Sequence, residues 1–168
     1  MPTLTILTEV LPEPASGICE TLKRRVRAVR NHLTASVAGQ AHGGHSAVTR
    51  SVVQGLTKLG TRFNYNPERL KNVAEVVVVL SGIEALKQAI QWKKSGRVKR
   101  LLAGPNLVVR SSEYNGLLTS PEIDICLVPS DWVRVAYEED APSLRGRIRV
   151  GPAGVDSKYW KPKQRRSE

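Results

Sequence analysis

The stretch "AEVVVVL", Ala74 to Leu80, holds four consecutive valines with no polar residue between them. Successive side chains of a strand point to opposite faces, so a run that is apolar at every position must be covered on both sides. Helices laid over both faces of a parallel sheet supply that cover, and the neighbouring sequence has the matching periodicity. Downstream, Ile83 to Lys94 sets Ile83, Leu86 and Ile90 on one helical face and Lys87 and Lys94 elsewhere, with Gly96 as a stop. Upstream, Ser46 to Leu59 sets Val48, Val52, Leu56 and Leu59 at spacings of four, four and three, and Gly60 follows. A third helix is expected over Asp131 to Glu138, with Ser130 available as its N-cap after Pro129.

Further strands are expected at "TASVA" (Thr34 to Ala38), "TRFNYN" (Thr61 to Asn66), "VKRLLA" (Val98 to Ala103), "EIDICLV" (Glu122 to Val128) and "RIRV" (Arg147 to Val150). Strands alternating with helices imply right-handed crossovers. The expected fold class is therefore α/β: a Rossmann-like, doubly wound, mostly parallel sheet in a single domain over residues 34–160. Residues 1–33 read as an N-terminal extension, with "TLTIL" as an edge strand. It also holds a helix with Ile18, Leu22, Val26, Val29 and Leu33 on one face and Lys23, Arg24, Arg27 and Arg30 on the other. Such a helix docks on its own domain, or lies on a membrane surface or an acidic partner. Asn106 to Pro121 reads as a long loop with one helical turn, and residues 161–168 as a basic tail without fixed structure.

A chain of 168 residues buries one core, and 5% aromatics make that core aliphatic. With 26 Lys and Arg against 15 Asp and Glu, the net charge of +11 attracts an anion: nucleic acid, an anionic membrane surface or a phosphorylated small molecule. The basic run "KRRVRAVR" has no interleaved aromatics and no recognition-helix motif is present, which argues against nucleic acid. Of two cysteines, Cys126 lies in an apolar run as a buried free thiol, so a disulfide framework is not expected. The acidic, proline-broken N-terminus and the lack of a membrane-length apolar run point to a cytoplasmic protein, peripheral to a membrane at most.

Ligands of an open parallel sheet meet the carboxyl ends of its strands. "GQAHGGHS", "SG" (Ser81, Gly82), "GPN" (Gly104 to Asn106), "PSDW" (Pro129 to Trp132) and "GPAGVD" (Gly151 to Asp156) stand at expected strand ends, small or polar in each case. In the first, His42 and His45 lack the spacing of two ligands on one helical face and have no local cysteine or carboxylate cluster, so no metal site is expected. Gly39, Gly43 and Gly44 are out of phase for a dinucleotide fingerprint, and no Walker lysine follows. What is left is a glycine-rich loop at a helix N-terminus, where free N–H groups and the helix dipole favour an anion. Gly43 and Gly44 would let a phosphate or sugar approach, and His45 or Ser46 would donate to it; the alternative is a tight turn with no ligand. Asn106 suits a sugar hydroxyl or an Asx-turn, and Trp132 reads as core or rim packing. No Ser-His-Asp or Cys-His arrangement is legible.

"HGGHSAVTRSVVQGLTKLG", "VVVVLSG", "LLAGPNLVV", "IDICLVPSDWV" and "IRVGPAGVDSKYWKP", in this order, resemble the N-terminal half of retaining, sugar-nucleotide-dependent glycosyltransferases of GT-B architecture. The resemblance covers about residues 34–162, and Gly151 stands where that family has a larger residue. It implies two Rossmann-like domains facing a cleft, a nucleotide-sugar as substrate, and no metal or cofactor. Gly43 and Gly44 would meet the donor phosphate and sugar, with His45 and Ser46 beside them. Asn106 and Ser130 would line the acceptor side together with their strand-end neighbours Ser81 and Asp131. The sequence stops at Glu168, just after the interdomain segment. A truncated form, inactive without a second domain or a second chain, is therefore expected. The rival expectation is a non-catalytic Rossmann-like module that binds RNA or anionic lipid through its charge, with affinity falling steeply in salt.

Overall fold

The computed structural model describes residues 3–11, 44–107, 109–110 and 112–151. The expected strand at 34–38, the basic helix over 18–33, Gly43, the "PAGVD" segment and the tail from 161 lie outside the described residues. Among the described residues, six strands and three α-helices follow in the order β1 (Leu4–Leu7), α1 (Gly44–Lys58), β2 (Phe63–Tyr65), β3 (Val76–Val79), α2 (Ile83–Lys94), β4 (Arg100–Ala103), β5 (Ile125–Val128), α3 (Asp131–Asp140) and β6 (Ile148–Val150). They form one sheet in the order β2-β1-β3-β4-β5-β6, every neighbouring pair parallel. The chain is thus an α/β, Rossmann-like domain.

The valine run becomes β3 near the centre of the sheet, with Val77 and Val79 at 0% exposure and Val76 and Val78 half-buried. The buried face joins Leu101 and Ala103 of β4 and Cys126 and Val128 of β5 to Leu86, Ala89 and Ile90 of α2 and Tyr137 of α3 in one core. The spacing expected of α2 is met over its whole length, and Gly96 closes it at φ +75°. Ser130 caps α3, its hydroxyl accepting the Val133 N–H at 3.3 Å.

The largest departure from expectation is "TLTIL". Leu4–Leu7 is an interior strand between β2 and β3, not an edge strand. Its polar threonine looks unsuited to a sheet interior, yet Thr5 is fully buried because its hydroxyl accepts the Ala74 N–H at 2.8 Å. A buried hydroxyl with a partner carries little penalty. Helix α1 also stops one residue short of its expected apolar stripe: Val48, Val52 and Leu56 are half-buried, but Leu59 follows the last turn and is 80% exposed. The expected loop from Asn106 holds two 3-10 turns, Glu113–Asn115 and Leu117–Thr119, and seals the core with Leu107 and Leu118. Arg147 ties its end to β6 by donating to the carbonyls of Thr119, Ser120, Ile123 and Ser143.

Gly104 closes β4 at φ +108°, and a Cβ built there would overlap the Leu127 carbonyl of the neighbouring strand. Gly96 shares the left-handed backbone but would place a Cβ in open space. Gly104→Ala should therefore cost about 3 kcal/mol or more and Gly96→Ala only about 1 kcal/mol, read from chemical denaturation midpoints. Equal losses at both positions would show that backbone strain alone, not the contact with Leu127, restricts Gly104.

Candidate functional site

An all-parallel sheet collects every strand's carboxyl end on one edge. The direction in which the chain adds strands reverses between β1 and β3, and such a reversal splays the outgoing connections and opens a crevice. Thr8 leaves β1 on one lip. Leu80, Ser81 and Gly82 leave β3 on the other. Backbone bonds continue the ladder past the strands and hold the edge together. Leu80 N–H donates to Leu7 O at 2.9 Å, Gly104 N–H to Val79 O at 2.9 Å, Asn106 N–H to Leu80 O at 3.0 Å and Gly151 N–H to Val128 O at 2.9 Å.

Gly82 sets the width of the crevice. Its φ is +90°, and a Cβ there would come within 2.8 Å of the Thr8 carbonyl, so no other residue allows the two lips to approach this closely. Beyond Thr8 the chain is held on α2, where Gln88 accepts the Leu11 N–H at 2.7 Å and donates to the Leu11 carbonyl at 3.1 Å. On the other side Asn66, at φ +41°, clamps the ends of β1 and β2. Its side-chain oxygen accepts the Thr8 N–H and its amide donates to the Thr8 hydroxyl, both at 2.8 Å, while the Tyr65 and Thr8 hydroxyls share a 3.1 Å hydrogen bond.

Ser81, Asn106, Ser130 and Asp131 follow β3, β4 and β5, which are neighbours in the sheet, so these acceptor-side candidates lie along one edge. The Ser130 hydroxyl oxygen accepts at the α3 cap, an interaction that does not use its O–H donor. Asp131 is exposed and bonds Arg134 at 3.2 Å, and Arg134 also reaches Glu138 at 3.1 Å. Trp132, expected in core or rim packing, is 78% exposed, because α3 turns its opposite face, with Val133 and Tyr137, toward the core. Of the donor-side set, the backbones of Gly44, His45 and Ser46 form the first turn of α1. The short link from Lys58 to Phe63 leaves the end of α1 near the amino end of β2.

Thr8, Tyr65 and Asn66 were not among the expected site residues. Only Asn66-Pro67 carried a sequence signal, as a turn-forming pair at a strand end. Thr8 could not be found while "TLTIL" was placed at the edge of the sheet.

Displaced pKa values often mark reactive groups, but here they mark structural ones. Burial pushes the Cys126 thiol up to about 11 and the Tyr137 phenol up to about 12. Tyr137 donates to the Leu107 carbonyl at 3.3 Å, and neither group reaches the crevice. At the opposite, amino edge, burial pushes Asp124 up. The hydrogen bonds from Lys93 and the Leu101 N–H, with the charges of Lys93 and Arg100, outweigh it and hold the carboxyl below its ordinary value. Among the described residues, no three or more His, Cys, Asp and Glu gather closely enough to hold a metal ion, and no helix is long and apolar enough to cross a membrane. Compared with family models, with curated proteins and with solved structures, the chain matches none.

The lowered pKa of Asp124 contributes stability that is present above the carboxylate's unfolded value and lost as pH falls through its folded one. Asp124→Asn should cost about 1–2 kcal/mol at neutral pH, a difference that shrinks as pH falls below the ordinary carboxylate range and through the lowered value of the folded state. Denaturation midpoints across that range check it. A difference independent of pH would show that the charge contributes nothing.

Proposed function

We propose that this domain is the N-terminal, acceptor-side half of a glycosyltransferase of GT-B architecture, moving a sugar from a nucleotide-sugar to an acceptor together with a second Rossmann-like domain. The observation that carries this is a convergence on one sheet edge. The switch point between β1 and β3 and the strand-end residues Ser81, Asn106, Ser130 and Asp131 belong to it, and in this reading the glycine-led start of α1 faces it. The resemblance in sequence assigns donor and acceptor to those same segments.

In this reading the donor diphosphate lies against the free N–H groups at the start of α1. Gly43 and Gly44 leave it room, and His45 and Ser46 donate to it. Ser81, Asn106 and Ser130 orient the acceptor hydroxyl by hydrogen bonds, and Asp131 accepts from it. The bond between the anomeric carbon and the diphosphate oxygen breaks through an oxocarbenium-like transition state, the diphosphate leaves with the electron pair, and the acceptor oxygen bonds the carbon and passes its proton to the departing diphosphate oxygen. Charge on the departing diphosphate is met by backbone N–H groups here and by basic side chains of the second domain. The nucleotide-sugar is substrate, no metal or cofactor takes part, and the reaction runs in the cytoplasm.

A panel of nucleotide-sugars titrated into the isotope-labelled chain should produce weak but saturable shifts confined to the carboxyl edge, including Ser81, Asn106 and the start of α1. Gly44→Val, which narrows the approach without disturbing the core, should weaken that binding tenfold or more. Absence of saturable shifts with every donor, or shifts gathered on the opposite edge, would sink the proposal.

A further inference from the structure

The amino edge of the sheet carries a second concentration of chemistry that the carboxyl-edge site does not use. Leu59 is 80% exposed and Leu70 45%. Each is bracketed by cations: "KLGTR" sets Lys58 and Arg62 about Leu59, and "RLK" sets Arg69 and Lys71 about Leu70, all four exposed. Both leucines belong to the same edge. Arg62, ahead of β2, accepts the Thr3 N–H ahead of β1 at 2.8 Å, and Leu70 accepts from Arg97, in the turn ahead of β4, at 2.8 Å. β2 and β3 flank β1 and so stand two strand spacings apart, about 10 Å. The leucines and their cations therefore share one rim.

The acids near this rim are mostly committed. Glu75 pairs with Lys99 at 2.9 Å, Asp124 pairs with Lys93 at 2.8 Å, and Glu122 accepts from Ser120 near Lys93 and Lys94, which leaves Glu68 beside Arg69. A positive rim with protruding leucines complements an anionic bilayer, which takes the apolar tips into its headgroup layer and the cations onto its phosphates. RNA would use the cations only. It would leave both leucines in water, and the aromatic side chains of this region, Phe63 and Trp92, are half-buried in the fold and cannot stack a base. A second copy of the chain would present like charge.

We propose that the amino edge, built around Leu59 and Leu70, is a peripheral docking surface for an anionic lipid bilayer. Docking by this edge turns the carboxyl-edge crevice away from the lipid, so the proposal stands independently of the glycosyltransferase reading. In co-sedimentation, the full chain should bind mixed phosphatidylcholine–phosphatidylglycerol vesicles and not phosphatidylcholine alone. Arg62→Gln with Lys71→Gln should weaken binding about twenty-five-fold, at about fivefold per cation, and Leu59→Ser with Leu70→Ser about tenfold or more. These positions are exposed, and unchanged thermal unfolding verifies that the variants fold. Equal binding by native chain and both variants, binding to neutral vesicles, or binding of a uridine-rich RNA with no binding to anionic vesicles would each overturn the proposal. As a second readout, a polarity-sensitive dye on Leu70→Cys, in a Cys19→Ser background, should shift to the blue with anionic vesicles. An unshifted dye would equally overturn it.

Discussion

Thr5, Ile6 and Leu7 pair with Asn64 and Tyr65 on one side and with Val77, Val78 and Val79 on the other, so β1 joins two halves of the sheet that do not otherwise meet. Removing this ladder would separate β2 from the other four strands. The position of the crevice follows from it as well, since the reversal of strand order lies where β1 adjoins β3. The strand tolerates a polar side chain in its centre only because Ala74, on the way into β3, donates to the Thr5 hydroxyl. One side-chain hydrogen bond thus couples the start of the chain to its most apolar strand.

Parallel pairing then polarises the domain. At the carboxyl edge, Gly82 and Gly104 have backbone angles and neighbours that exclude a Cβ, and the Thr8 and Leu127 carbonyls occupy the space it would need. Close approach there builds narrow, polar lips between strand ends. Residues entering the strands at the amino edge include Arg62, Arg97, Lys99 and Arg100, and the turns between them leave Leu59 and Leu70 in solvent. The two edges are separated by strands of three or four residues, about 10–13 Å. The polar strand ends and the basic strand starts are thus kept on separate faces of the domain.

Of the ionisable groups with displaced pKa values, Arg134, raised by its hydrogen bonds to Asp131 and Glu138, stands on the carboxyl edge, and three others lie away from it. Cys126 and Tyr137 are shifted by burial within the core, and Asp124 by its bonds to Lys93 and Leu101. None of them borders the crevice.

Periodicity alone was enough for α2, for the valine strand and for the succession of strands along the chain from β3 to β6, because a side chain's face is set by local geometry that sequence spacing records. The strand-end positions of Ser81, Asn106, Ser130 and Asp131 followed from that order. Which strands are neighbours is not local. The interior place of Leu4–Leu7 depends on a partner for Thr5 that lies 69 residues away, and the clamp of Thr8 by Asn66 spans 58. The exposure of Trp132 and Leu59 was equally hidden, since spacing identifies a helical face but not where the helix ends or what stands opposite it. Sequence determined the elements and the chemistry at their ends; tertiary structure decided which ends meet, because burial and hydrogen-bond satisfaction are settled only by the complete set of neighbours.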